Sequence, residues 1–456
     1  MLSGALGLIF KIFGIIALAN RVLGALVLRI FKRKLDIVDN NYEPTVEVVI
    51  PMFNEGAGIE ETIASVLGAD YPAHKLRITV VDDKSTDDSL ARVTALAETT
   101  GDRLKVLRNR QNLGKRMSII KAVRATGAEI IISVDSDVVV DRQAIRQLVR
   151  RFSSPRIGAV GGRVDVRNKH VNWLTRMQVI KYWYAYHFGK ALELACRQVM
   201  CLSGCLTGYR RSVLMEVEPV LLDRSLWGMP VKYGEDRFLT RQIVFAGYQT
   251  VMTTDAVCRT TVPETLGAFQ AQQLRWQRSG LIDVGAIVLN ARRLHPIVAM
   301  QFITLLVLTI AYPMLLVRSL EAGTFLALMQ KKLVLVTIFG LVYRWHVRNL
   351  PAHDRVSPFA FLPIALVFPV IYGLLIPLAL FTLDSSSWET RRHGLPAATP
   401  PLPVPAPSTS APVPMTSGSA AAAPAHAHAP APAPAPVPVA VARTVRERAP
   451  SLQSLN

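Results

Sequence analysis

Apolar residues are unevenly spread along these 456 residues: they bunch toward the two ends and alternate with polar ones between. Residues 5–31 form an apolar stretch interrupted only by Lys11, Asn20 and Arg21. It is long enough to cross a bilayer provided those three side chains snorkel or face protein. From Val46 to about Pro263 short β-branched runs (VEVVI, RITVVDD, LKVL, EIIISVDSD, IGAVGG) alternate with helical stretches, which predicts an α/β sheet domain. Residues 264–294 are amphipathic and suit the membrane interface. Three further apolar stretches follow: 296–317, then 322–343 with Lys331 and Lys332 inside it, then 358–383 with Pro363, Pro369 and Pro377. Beyond Gly394, proline and alanine dominate, and so few large hydrophobes remain that burial cannot offset the entropy of ordering. The expected organisation is therefore an anchor over 1–35, a sheet domain over 45–263, interfacial helices over 264–294, a membrane region over 295–394 and a disordered tail over 395–456.

Charge gives this arrangement an orientation. The chain carries a formal +19, and its basic residues flank the apolar stretches: Arg29 and Lys32 to Lys34, Arg292 and Arg293, Arg344, Arg348 and Arg355, Arg391 and Arg392. Cytoplasmic flanks carry such charge, so the sheet domain is expected in the cytosol of an integral membrane protein, with the plasma membrane as its site. No nucleic-acid-binding motif accompanies the charge, which excludes that partner. A cleavable signal peptide is excluded too, because the basic run FKRK follows the apolar stretch instead of preceding it. Three full crossings after the sheet domain would carry the basic segment WETRRHG to the far side, so one of the three is expected to be re-entrant or interfacial. The four cysteines, Cys196, Cys201, Cys205 and Cys258, have neither paired CxxC spacing nor a histidine cluster, and read as reduced, buried thiols.

The candidate chemistry sits at strand ends, where open α/β sheets bind ligands. Asp135 and Asp137, one residue apart after the apolar EIII run, can hold Mg²⁺ or Mn²⁺, hard ions that bridge diphosphate oxygens; turn capping alone would also account for such a triplet. Asp82 and Asp83 end an earlier strand and can accept hydrogen bonds from a nucleoside, with Lys115 and Arg116 supplying cations nearby. Glu235 and Asp236 open an amphipathic helix; as capping residues they need no other explanation, and as chemistry Asp236 can take a proton from an attacking hydroxyl. Gln272, Arg275 and Trp276 fall close to one helix face, either as an interfacial anchor or as a stacking platform for a sugar with a cation on a diphosphate.

Five of these motifs, VVIPMFNE, VVDD, SVDSD, YGEDR and QQLRW, stand in the order and spacing of membrane-bound family 2 glycosyltransferases, which the chain resembles from about Thr45 to Arg278. Within that family GGRVDVRNKHVNWLTRMQVIKY, LTGYRR, GEDRFLT and LFTLDSSSWETRR look like hyaluronan synthases, with chitin synthases and rhizobial chitooligosaccharide synthases as near relatives. The resemblance implies a GT-A fold, UDP-sugar donors, Mg²⁺ or Mn²⁺ at Asp135 and Asp137, and passage of a growing polysaccharide through the membrane. It implies uridine contact at Asp83, a base at Asp236, an acceptor site lined by Gln272, Arg275 and Trp276, and nucleotide contacts from Trp388 and Arg391. The expected reaction is inverting, processive transfer of N-acetylglucosamine, alone or alternating with glucuronic acid. A transferase that loads a lipid carrier shares the fold but usually lacks the QxxRW motif, and a non-catalytic scaffold would not need Asp135, Asp137 and Asp236 intact. The chain departs from hyaluronan synthases in having Leu202-Ser203-Gly204-Cys205 where they carry Cys-Ser-Gly-Pro, Glu389 where they carry glycine, and one N-terminal apolar stretch where they have an additional span.

Overall fold

A computed structural model describes residues 2–226, 229–231, 233–351 and 354–383. Strands β1 (Val46–Met52), β2 (Leu76–Asp82), β3 (Leu104–Arg108) and β4 (Ile130–Val134) lie parallel in the order β3-β2-β1-β4. Helices α2 (Gly58–Leu67), α3 (Ser89–Thr100) and α4 (Lys115–Ala125) connect them in turn. Every residue of β1 and β4 is buried, the burial of strands covered on both faces, and the reason both are apolar but for Glu47 and Ser133. The sheet continues past β4 through antiparallel β7 (Leu206–Arg210) to β6 (Ile157–Val166), then to β10 (Gln249–Thr260), and ends on the short β5 (Val139–Val140). Met52 is paired with Asp82, so β1 and β2 end together, and β4 ends beside them. The acidic motifs thus leave the sheet along one edge.

The second half of the domain packs on this sheet. It comprises α5 (Ala144–Val149), α6 (Trp173–Tyr184) running into a π-helical turn over Ala185–Gly189, α7 (Ala191–Ala195), α8 (Arg211–Leu222), the small hairpin β8 (Ser225–Leu226) and β9 (Met229–Pro230), and α9 (Glu235–Phe245). One core joins both halves, with Ile50, Ile78, Ile132, Leu148, Leu202 and Ile243 all fully buried.

Within 264–294, the stretch expected as interfacial helices, lie a short helical turn over Ala291–Arg293 and, before it, the long helix α10 (Leu266–Leu289). Its face carrying Phe269, Gln273, Ser279, Asp283 and Ile287 is buried, packed among α9, α11 (Pro296–Glu321) and α13 (Leu362–Leu380). Among the described residues three helices are long and apolar enough to cross a membrane: Gly7–Phe31 within α1 (Leu2–Leu35), α11, and α12 (Phe325–His346). They leave large side chains such as Ile15, Leu23, Ile310, Val317, Val334 and Leu341 exposed, as lipid-facing surfaces do. The second of the later apolar stretches starts at Phe325, not at residue 322, because Gly323, at φ +67°, ends α11. The tail from residue 395, expected to be disordered, lies outside the described residues, as do Trp388 and Arg391.

Candidate active site

Asp135 and Asp137 leave β4 in a turn closed by Val138 N–H donating to the Asp135 carbonyl (3.3 Å). Ser136 between them faces elsewhere: its hydroxyl donates to Glu55 (2.8 Å), and its carbonyl accepts from Thr62 Oγ1 (2.8 Å). This leaves the two carboxylates to the site. Thr260 Oγ1 donates to Asp137 Oδ2 at 3.3 Å, while Asp135 is ion-paired with Lys115. Lys115 is the first residue of α4 and reaches two further groups, Glu235 Oε1 and the Gly204 carbonyl, both at 3.3 Å. Burial alone would favour the neutral amine, but Asp135 and Glu235 outweigh it and hold Lys115 well above its ordinary pKa. Burial likewise disfavours the Asp135 carboxylate, and Lys115 overrides it, keeping Asp135 below its usual range.

One pocket takes in Lys115, Ser133, Gly204, Tyr209, Glu235 and Asp236. Gly204 lets the chain pass close to this charge cluster, since a Cβ there would lie 2.5 Å from Lys115 Nζ and 3.7 Å from Asp236 Cβ. Asp236 occupies the first turn of α9, where the partial positive charge of the helix end favours a carboxylate, and its Oδ1 accepts from Arg237 N–H (2.8 Å). Arg275 is depressed by burial and held up by Glu235, Asp236 and Asp135, so these carboxylates share its field.

Asp82 and Asp83, both fully buried, take different roles. Asp83 accepts three hydrogen bonds from the chain itself: Asn109 Nδ2 (2.7 Å), Leu113 N–H (2.9 Å) and Gly114 N–H (2.7 Å). It thereby fixes the loop that delivers Lys115. Asp82 Oδ1 accepts from Ser85 N–H (3.0 Å), and its Oδ2, 3.4 Å from Arg108 Nε, has no hydrogen-bond donor.

On α10, Trp276 meets the edge of Tyr182 (centroids 6.5 Å apart) and the ammonium of Lys181 (5.0 Å from its ring centroid). Lys181 also donates to Gln273 Oε1 and lies 5.7 Å from the Phe269 ring. Gln272 Oε1 accepts from Gln273 Nε2 at 3.3 Å. From the sequence Glu235 carries only a capping assignment and Lys181 none, because their partners lie far off in the chain; the one clue to a further role for Glu235 is its place beside Asp236. The four cysteines are free, and burial pushes the Cys205 and Cys258 thiols well up.

Among the described residues no group of three or more His, Cys, Asp or Glu side chains gathers as metal ligands. Two carboxylates in a turn, one of them already holding a cation, Lys115, fit Mg²⁺ or Mn²⁺. Such ions are commonly bound through one or two carboxylates with water and substrate phosphate completing the shell.

Known proteins share this plan. The model of the glycosyltransferase like family 2 matches residues 44–279. An N-acetylglucosaminyltransferase of Rhizobium sp. (strain N33) is 33% identical over 363 residues, covering 78% of this chain and 79% of its own. One from Sinorhizobium fredii is 32% identical, covering 78% and 86%. A mannosyltransferase from Pyrobaculum calidifontis, solved in complex with GDP-Man and Mn²⁺, superposes with a TM-score of 0.50 at 20% identity, over 82% of this chain and 97% of that one. The sheet with its acidic edge, the pocket behind it and these likenesses lead to one conclusion: the chain is a glycosyltransferase of family 2, built on a GT-A fold with apolar helices on either side of it.

Proposed function

We propose that this enzyme transfers N-acetylglucosamine from UDP-GlcNAc to the terminal hydroxyl of a growing β-linked chain, with inversion, at the cytosolic face of the plasma membrane, and passes the product across it. The observation that carries the reading is that Lys115, Glu235 and Asp236 line one pocket while Lys115 is ion-paired with both Glu235 and Asp135, with Arg275 in the field of these carboxylates. The names of the rhizobial relatives support the sugar.

In this reading the acceptor sugar stacks on Trp276 beside Gln272, and its hydroxyl oxygen bonds to C1 of the donor as the C1–O bond to the diphosphate breaks. Asp236 takes the hydroxyl proton, and UDP departs with the bonding electrons. Arg275 and Lys115 oppose the negative charge that develops on the leaving diphosphate. Asp135 and Asp137 would hold the Mg²⁺ or Mn²⁺, whose chemistry is to neutralise that diphosphate as a Lewis acid. The orphan acceptor Asp82 Oδ2 suits a donor N–H of the uracil, and Asp83 shapes the loop beside it. Trp388 and Arg391 remain candidates for the nucleotide by their motif. The exposed apolar faces of α1, α11 and α12 support residence in the membrane.

The test is UDP release by the full-length protein in nanodiscs. UDP-GlcNAc with Mn²⁺ or Mg²⁺ is expected to yield UDP, and excess chelator to abolish the release until metal is restored. Release only when UDP-GlcA is also present would instead mark a two-donor, hyaluronan-type synthase, and full activity in chelator would remove the metal from the reading.

A further inference from the structure

A second buried charge cluster lies where α9 crosses α10, behind the pocket. Asp283 of α10 is 3% exposed, and its Oδ1 stands 3.3 Å from Nε of Arg241 on α9, itself 6% exposed. Arg224, 5% exposed, lies 4.5 Å over the Phe238 ring and acts on Asp283 through its charge. Burial pushes the Asp283 carboxyl up, and Arg241, Arg224 and Arg237 pull it back. Both Asp283 oxygens, Arg241 Nε and the two terminal nitrogens of Arg224 lack hydrogen bonds. Charge attraction therefore holds this contact, and one partner left alone would be an uncompensated buried ion.

The cluster is aligned with the active site. Trp276, Ser279 and Asp283 follow at i, i+3 and i+7, the spacing of one helix face. Ser279 meets the start of α9: Gly234 has φ +67°, and a Cβ on it would fall 1.9 Å from Ser279 Oγ. Helix α9 thus packs closely on α10 at Gly234 and is paired with it by charge at Arg241, with Asp236 between the two points. An apolar pair of similar volume would keep these helices packed; a charge pair also fixes how far one lies along the other.

We propose that Asp283 is a positioning residue for sugar transfer: by pairing with Arg241 across the α9–α10 contact it sets the reach of the Asp236 carboxylate toward an acceptor on Trp276. This rests on the reading of Asp236 as the base. A displacement of about 1 Å in a catalytic group can lower turnover on the order of 100-fold, so the effect belongs in kcat.

The experiment compares the double variant Asp283→Leu/Arg241→Met with wild type in nanodiscs, reading thermal unfolding, KM for UDP-GlcNAc and kcat. The expected result is a folded protein with KM within about twofold and kcat lowered roughly 10- to 100-fold, with Asp283→Glu recovering part of the loss. Wild-type kcat in the double variant, or parallel loss of donor binding and kcat, would overturn the proposal. Should the double variant not fold, Arg241→Lys keeps the charge and alters the geometry: reduced kcat at unchanged KM supports the proposal, and wild-type kcat sinks it. Asp236→Asn is run alongside. If that variant still turns over, the base reading falls; if it is inactive while the Asp283 variants run at full rate, only the positioning role falls.

Discussion

Lys115 joins the metal-motif carboxylate Asp135 to Glu235 at a depth where water screens little. Removing its charge leaves two partly buried acids without their shared cation, so Lys115→Met is expected to lower stability by about 1–3 kcal/mol, read as a shifted unfolding midpoint, and to weaken UDP binding. An unchanged midpoint would mean that the pair is not part of the folded resting state. Asp236 has a narrower role. A general base contributes on the order of 10²- to 10⁴-fold, so Asp236→Asn should lose that much UDP release at an unaltered unfolding midpoint; intact release would remove it from the base position. Both residues are legible in the sequence, Asp236 as a carboxylate at a helix start and Lys115 as a cation just after the Asn112-Leu113 turn. Asp83 is legible only in part. Its position at the strand end is plain, but its three hydrogen bonds to the loop over residues 109–114 depend on where that loop folds back.

At the scale of elements, the pattern identifies the strands well because β1, β2 and β4 are buried at nearly every position and so are mostly apolar and β-branched. It does not reveal the antiparallel insertion of β7 between β4 and β6, since pairing order leaves no mark on local periodicity. Nor does it reveal that α6 lies against α10. That contact buries Lys181 beside Trp276 and Phe269, and burial, with Arg237 nearby, lowers its pKa to about 7. In the unfolded chain the same lysine titrates near its ordinary value of about 10.4. Between those values the unfolded state binds the extra proton, so this group's contribution to stability rises with pH from about 7 upward, and its cost is full below 7. Lys181→Met should therefore raise the unfolding midpoint more at pH 6.5 than at pH 9.5. Equal gains at the two pH values would show that Lys181 is not buried as a cation against the α10 face.

For the whole molecule, apolar helices lie on either side of the glycosyltransferase domain in the chain, and the proposed function assigns sugar transfer to the domain and passage of the product to the helices. The sequence makes the family plain through its five ordered motifs, yet it leaves the polymer undecided between one donor and two. In the proposed function that choice falls to the walls of the acceptor site, and Lys181, Gln273 and Trp276, which come together from α6 and α10, are the candidates for it. The central claim is inverting transfer of N-acetylglucosamine. The most direct measurement incubates the nanodisc-embedded enzyme with UDP-GlcNAc alone and determines the product's mass and anomeric configuration by mass spectrometry and NMR. The account predicts a ladder of N-acetylglucosamine units joined by β linkages, formed from a donor whose anomeric bond is α. An α-linked product, or no product until a second sugar nucleotide is added, would contradict it.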